Sequence, residues 1–209
     1  GVDAAILRTD GEAVIEAGPA AFLPYSRDLK IFIRRAIKAA LEGRDGAADI
    51  GKASAEVTAA HVEAVALLLE KAGLKRTAVD VIGFHGQTIL HRPRRSPESP
   101  GRSWQIGDAR LLAEETKIDV VGDFRGCDIA EGGEGAPLAP VYHAALARAR
   151  AKNIGRDHAI GVLNLGGVAN ITFVPSSGGD RDLLAFDCGP GNGLIDQWTE
   201  LKSGAAMDE

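Results

Sequence analysis

Apolar residues recur along the chain with two periods, and the way those periods alternate predicts its elements. Val2–Leu7 is a short apolar run ending at Arg8-Thr9-Asp10-Gly11, and Ala13–Ala17 follows, so the chain opens on a β-hairpin turning at Asp10-Gly11. Leu29, Ile33, Ile37 and Leu41 share one helical face within Arg27–Glu42, as do Val57, His61, Val65, Leu68 and Leu69 within Ala53–Ala72. Two helices are therefore expected after the hairpin. Val79–Phe84 reads as a strand ending at His85-Gly86-Gln87-Thr88, and Trp104–Ile106 as a short strand ending at Gly107-Asp108. Ala109–Thr116 reads as a helix. Ile118–Val121 is a further strand ending at Gly122-Asp123-Phe124-Arg125, after which the loop Glu131-Gly132-Gly133-Glu134-Gly135 leads to a helix from about Leu138 to Arg150. Alternating strands and helices predict an α/β fold.

After a polar break at Ala151–Asp157 the pattern restarts. Ala159–Leu165 and Val168–Val174 are strands around Gly166-Gly167, Leu183–Phe186 is a third, and Gly193–Trp198 reads as an amphipathic helix beyond Gly189-Pro190-Gly191-Asn192. The echo of the opening hairpin predicts two similar lobes, 1–152 and 158–209, the second unfinished because three strands and one helix do not close a layered domain. Gly1-Val2-Asp3 enters a strand without a polar lead-in, which reads as truncation.

Composition narrows the function without naming it. With 209 residues, 45% hydrophobic and 25% charged, the chain is globular, and a net charge of −5 gives no overall attraction for nucleic acid or an anionic membrane. No apolar run approaches the roughly 20 residues of a spanning helix, so a cytoplasmic protein is expected. Cys127 and Cys188 lack metal-type spacing and read as reduced thiols. The basic run His91-Arg92-Pro93-Arg94-Arg95, with Arg102 beyond Ser96-Pro97-Glu98-Ser99-Pro100, lacks interleaved aromatics and reads as a solvated loop.

Chemistry concentrates at strand ends. Asp187 stands where an apolar strand breaks into a glycine-rich turn before a helix; there it either serves a ligand or hydrogen-bonds the turn it introduces. Asn164-Leu165-Gly166-Gly167-Val168-Ala169-Asn170 is either a plain hairpin or a phosphate turn whose bare amides and flanking Asn164 and Asn170 amides reach anionic oxygens. His85, Gln87 and Thr88 gather groups that read sugar hydroxyls, although His85 can equally be structural. Asp108, Asp123 and Asp187 all end strands, and three convergent carboxylates suit general base work or Mg2+ coordination. Arg125 can clamp an anion or pair with Asp123 or Asp128. Cys188 has no neighbouring base and an anionic neighbour, so it is a poor nucleophile.

Taken in order, Gly1-Val2-Asp3, His85-Gly86-Gln87-Thr88, Gln105-Ile106-Gly107-Asp108, Gly122-Asp123-Phe124-Arg125, Gly132 to Leu138, Asn164 to Asn170 and Asp187 to Asn192 resemble the anhydro-N-acetylmuramic acid kinase family over essentially the whole chain. The resemblance implies an actin-like ATPase fold of two ribonuclease-H-like lobes around a nucleotide cleft. It also implies ATP with Mg2+ as cofactors and a small sugar as partner, with neither nucleic acid nor membrane. A homodimer stays open. The implied reaction opens 1,6-anhydro-N-acetylmuramic acid with water and phosphorylates O6, giving N-acetylmuramic acid 6-phosphate in peptidoglycan recycling. Asp187 matches the family's catalytic base. His85, Gln87, Asp123, Arg125 and Asn192 would contact the sugar, and Gly1, Asn164, Gly166, Gly167 and Asn170 the nucleotide. Two departures stand out: Cys188 replaces a threonine of the motif, and only Gly1 remains of a Ser-Gly-Thr-Ser-x-Asp-Gly phosphate loop. A fragment unable to turn over ATP alone is therefore expected. Two rivals remain, a noncatalytic sugar- or muropeptide-binding module and a two-metal nuclease using Asp3, Asp123 and Asp187.

Overall fold

The structure, a computed structural model, describes residues 1–94, 101–154, 158–176 and 182–205. The proline-rich stretch 95–100 and the end of the polar break, 155–157, lie outside the described residues. Contacts divide the chain into two compact units: residues 1–8 with 16–136, and residues 9–15 with 137–209. Mixed helices and small sheets make both units α/β.

β1 (Val2–Thr9) pairs with β2 (Val14–Leu23), and all of this hairpin but its tip at residues 9–15 belongs to the first unit. Their connection is held as expected at Asp10-Gly11: Asp10 Oδ1 accepts from the backbone of Glu12 and Ala13, and Gly11 takes a positive φ of 96°. Helix α1 (Arg27–Leu41) is capped by Ser26, whose Oγ accepts from Leu29 N, and it packs on α2 (Ala48–Ala72). Leu29, Ile33, Ala36, Ala53 and Val57 bury the facing stripes and form the main core together with Ile89, Leu90 and Ile106. Helix α2 begins at Ala48, five residues before the apolar stripe signals it.

β3 (Val81–Gly83) pairs in parallel with β6 (Asp119–Val121), while β4 (Gln87–Arg92) pairs antiparallel with β5 (Arg102–Ile106). Gln87-Thr88 is thus the start of a strand rather than the tail of one, and His91-Arg92, expected in a loop, continue β4 opposite Ser103 and Arg102. That strand escapes a linear reading because its partner lies across the proline-rich stretch. Helix α3 (Ala109–Thr116) follows β5, and α4 (Phe124–Ala130), unforeseen in the sequence, follows β6.

The second unit contains α5 (Ala139–Ile154) and an antiparallel sheet of β7 (Ile160–Leu165), β8 (Val168–Val174) and β9 (Leu184–Pro190), followed by α6 (Asn192–Ser203). Helix α5 runs through Ile154, past the expected break at Ala151. Its Ala144 and Ala147 pack with Val174, Ile160 and Leu183, and His143 Nδ1 lies 2.9 Å from the buried Thr172 hydroxyl. This packing on β8 goes with the grouping of α5 in the second unit, whose main part begins at Pro137.

Candidate functional site

Register in the three-stranded sheet assembles residues that are far apart in sequence. Asn164 of β7 lies opposite Asn170 of β8, and Asn170 lies opposite Asp187 of β9. Directly opposed residues share a face of the sheet, so two amides and a carboxylate form one row across three strands. Val174 and Thr172, further along β8 on the same face, are covered by α5; the row lies beyond that cover, with Asn164 and Asp187 exposed and Asn170 half-buried.

Asp187 is not at a strand end. β9 continues through Pro190, and its register against β8 slips by one residue: Asn170 faces Asp187 but Ala169 faces Gly189. Cys188 is the extra residue of a β-bulge, a device that breaks the ladder and re-aims side chains beside it. Its thiol is exposed, forms no disulfide and makes only a long contact of 3.9 Å to Phe186 O.

The Gly166-Gly167 turn and the start of α6 are locked together. Gly191 N donates to Gly167 O at 3.1 Å, and Asn192 N donates to Gly166 O at 2.8 Å. A Cβ on Gly191 would fall on the Gly166 carbonyl oxygen, so this approach requires glycine. Asn192, expected beyond the turn, is the first residue of α6, and its backbone donor is already committed to the turn. By contrast, a Cβ on Gly167 would meet nothing within 4 Å, so that edge of the turn is open.

The first unit holds the other expected residues. Arg125, half-buried on α4, donates Nε to His85 Nε2 at 2.9 Å, and His85 Nδ1 lies 2.9 Å from Gly86 O. An imidazole that accepts at Nε2 must carry its proton on Nδ1, so this pair fixes a neutral tautomer. Desolvation lowers the Arg125 pKa from its ordinary value. The partner of Arg125 is thus His85, where a carboxylate of Asp123 or Asp128 was the alternative. Asp123 precedes α4 with φ 56°, a left-handed conformation that Asp tolerates, and is exposed. Gln87 is half-buried, with Nε2 donating to Thr88 O at 3.1 Å. Gly1 packs against the Phe22 ring and, with His85 and Gln87, borders one cavity of the first unit.

One expectation changes on geometry. Asp108 caps α3, with Oδ1 accepting from Leu111 N at 3.0 Å, a role signalled by its place directly before Ala109. Among the described residues no group of three or more His, Cys, Asp or Glu is placed to hold a metal ion. Sequence reasoning also missed Asp128, whose Oδ2 accepts from Gly135 N at 2.7 Å and whose backbone carbonyl accepts from Gly133 N at 2.8 Å. It holds the loop after α4 closed. The spacing of an acid ahead of three glycines was the available signal.

Among the described residues no helix is long and apolar enough to cross a membrane. The family model described as "Anhydro-N-acetylmuramic acid kinase" matches residues 1–209. Curated relatives bearing that name include one from Agrobacterium fabrum (strain C58), 44% identical over 214 residues, covering 100% of this chain and 54% of the relative. A second, from Gluconobacter oxydans (strain 621H), is 46% identical over 211 residues, with 100% and 55% covered. A third, from Rhizobium etli, is 43% identical over 211 residues, with 100% and 54% covered. The chain spans about half the length of these relatives. A match that runs from Gly1 to Glu209 and takes in every motif at the sheet row, the locked turn and the histidine–arginine pair admits one conclusion: the chain belongs to the anhydro-N-acetylmuramic acid kinase family.

Proposed function

We propose that the protein is an ATP-dependent sugar kinase that hydrolytically opens 1,6-anhydro-N-acetylmuramic acid and phosphorylates O6, with the two units as ribonuclease-H-like lobes. The observation that carries this reading is the row Asn164, Asn170, Asp187 beside an open glycine turn. Asp187 is the base: its exposed carboxylate takes a proton from the water that attacks the anomeric carbon, as the bond from that carbon to O6 breaks. Bound ATP supplies the γ-phosphoryl group that O6 accepts.

The chain's own residues fit such a ligand. The Gly166-Gly167 turn offers main-chain approach without a Cβ, next to the positive end of the twelve-residue helix α6. Asn164 and Asn170 can donate to phosphate oxygens from the same face as Asp187. With no carboxylate cluster among the described residues, Mg2+ would take its oxygens chiefly from phosphate and water, as this ion commonly does. Arg125, steadied by neutral His85, is suited to an anionic group such as the lactyl carboxylate of the sugar. Gln87 and Asp123 can read hydroxyls, Asn192 sits where the turn meets α6, and Gly1 borders the cavity beside His85.

The test is Asp187→Asn in the complete gene product, assayed for phosphorylated sugar with its melting temperature as a folding control. A fall in kcat of about 10²-fold or more at unchanged stability is expected from loss of a general base. Turnover within a few fold of wild type would remove Asp187 from the mechanism. Sugar binding without any phosphorylation by the wild-type product would instead favour a noncatalytic binding module.

A further inference from the structure

The hairpin of β4 and β5 turns one face to the core and keeps the other polar. Trp104 and Ile106 pack with Ile89 and Leu90 against the stripes of α1 and α2. Ser103 and Gln105 alternate with them along β5, so they project from the opposite face. Register sets Thr88 opposite Gln105 and His91 opposite Ser103, which makes that face a polar square. All of its members are half-buried.

Gln105 is the member whose side chain is tied down. Its Nε2 donates to Ser103 Oγ at 2.8 Å and to Thr88 Oγ1 at 3.1 Å. A carboxamide nitrogen carries two protons, so both are committed and the group can only accept from anything further. Its Oε1 meets no protein donor among the described residues, and no buried side-chain nitrogen or oxygen there lacks a partner, so Oε1 is open to solvent. An acceptor fixed in advance has little rotamer freedom left to lose when a ligand arrives.

This acceptor stands beside the His85 and Arg125 pair. Gly86, whose carbonyl lies 2.9 Å from His85 Nδ1, runs against β5: a Cβ on it would stand 2.6 Å from Ile106 O and 3.5 Å from Gln105 Cβ. Helix α4, which carries Arg125, packs on β5 as well. A muramic sugar bears its lactyl ether and its acetamido group on adjacent ring carbons, and in the 1,6-anhydro form its donors are the acetamido N–H and one remaining ring hydroxyl. A hydroxyl is satisfied by a donor or an acceptor, whereas an amide N–H needs an acceptor. Gln105, unable to donate, matches the N–H. Resting on the substrate named under the kinase reading, we infer that Gln105 is a specificity-determining residue: its Oε1 accepts the acetamido N–H of the sugar whose lactyl carboxylate meets Arg125, and so selects N-acetylated muramic sugars.

Calorimetric binding to the complete gene product tests this with two sugars, 1,6-anhydro-N-acetylmuramic acid and its acetoxy isostere, in which an ester oxygen replaces the N–H. Wild type is expected to bind the isostere about 10-fold or more weakly, because the ester brings no proton and leaves Oε1 unpaired. Gln105→Met, similar in length but without the acceptor, should bind both sugars about equally, with its melting temperature checking the fold. Gln105→Asn keeps an amide, withdraws the acceptor by one methylene group and should also lose the discrimination; it takes the place of Gln105→Met if that variant does not fold. Equal affinity of wild type for the two sugars overturns the inference, as does a folded variant that discriminates as strongly as wild type. Phosphorylation separates the two readings: a wild-type product that binds and discriminates but transfers no phosphate refutes the kinase and supports the role of Gln105, and one that binds neither sugar overturns both.

Discussion

Gly191→Ala tests the junction that ties the glycine turn to α6. The added methyl would fall on the Gly166 carbonyl oxygen, so the turn and the helix start must separate. Two hydrogen bonds depend on their contact, from Gly191 N to Gly167 O at 3.1 Å and from Asn192 N to Gly166 O at 2.8 Å. Each contributes about 1 kcal/mol net, and overpacking adds about 1–3 kcal/mol, giving a loss of about 3–5 kcal/mol. For a chain of this size each kcal/mol moves the melting temperature by about 2–4 °C, so a fall of roughly 6–20 °C is expected. Gly167→Ala is the matched control. Its Cβ would meet nothing within 4 Å, so its stability should stay within about 0.5 kcal/mol of wild type while ATP affinity falls if that open edge receives phosphate. Urea and thermal unfolding followed by circular dichroism measure both. A neutral Gly191→Ala, or a Gly167→Ala variant as unstable as Gly191→Ala, would refute the argument.

His61 makes stability depend on pH with a definite sign. Its pKa is lowered in the fold, chiefly by desolvation, so below the ordinary value of 6.5 the unfolded chain binds the proton more readily. Stability should be fully present above 6.5, decline as pH falls from there through the folded value, and level off beneath it; His61→Gln should flatten that limb in unfolding curves recorded at several pH values. Asp108→Ala should cost about 1 kcal/mol by removing the cap on Leu111 N, with Asp108→Ser recovering most of it, and kcat unchanged in both. A fall in kcat with stability intact would return Asp108 to the chemistry.

The motifs were legible where each rests on local physics. Asp10-Gly11 turns a hairpin because Asp caps its own turn and Gly takes φ 96°, and the stripes of α1 and α2 are visible because burial follows a helical period. Short elements were less so. β4 carries no isolated signal, since Gln87-Thr88 is strand only by virtue of Gln105 and Ile106 opposite, and α4 begins at an Asp in a left-handed conformation that no pattern announces.

By itself the sequence determined the α/β alternation, the hairpins, the glycine turns and the order of motifs that marks the family, all of them properties of neighbours along the chain. Tertiary structure decided which of those residues meet. The row of Asn164, Asn170 and Asp187 exists only through strand register, and its last member is re-aimed by a bulge at Cys188 that one residue of slip creates. Gly191 is required because a carbonyl twenty-five positions earlier presses against it, and Arg125 meets His85 rather than a nearby carboxylate. Pairings between distant segments depend on the packing of the whole unit, and periodicity along one segment carries no record of them.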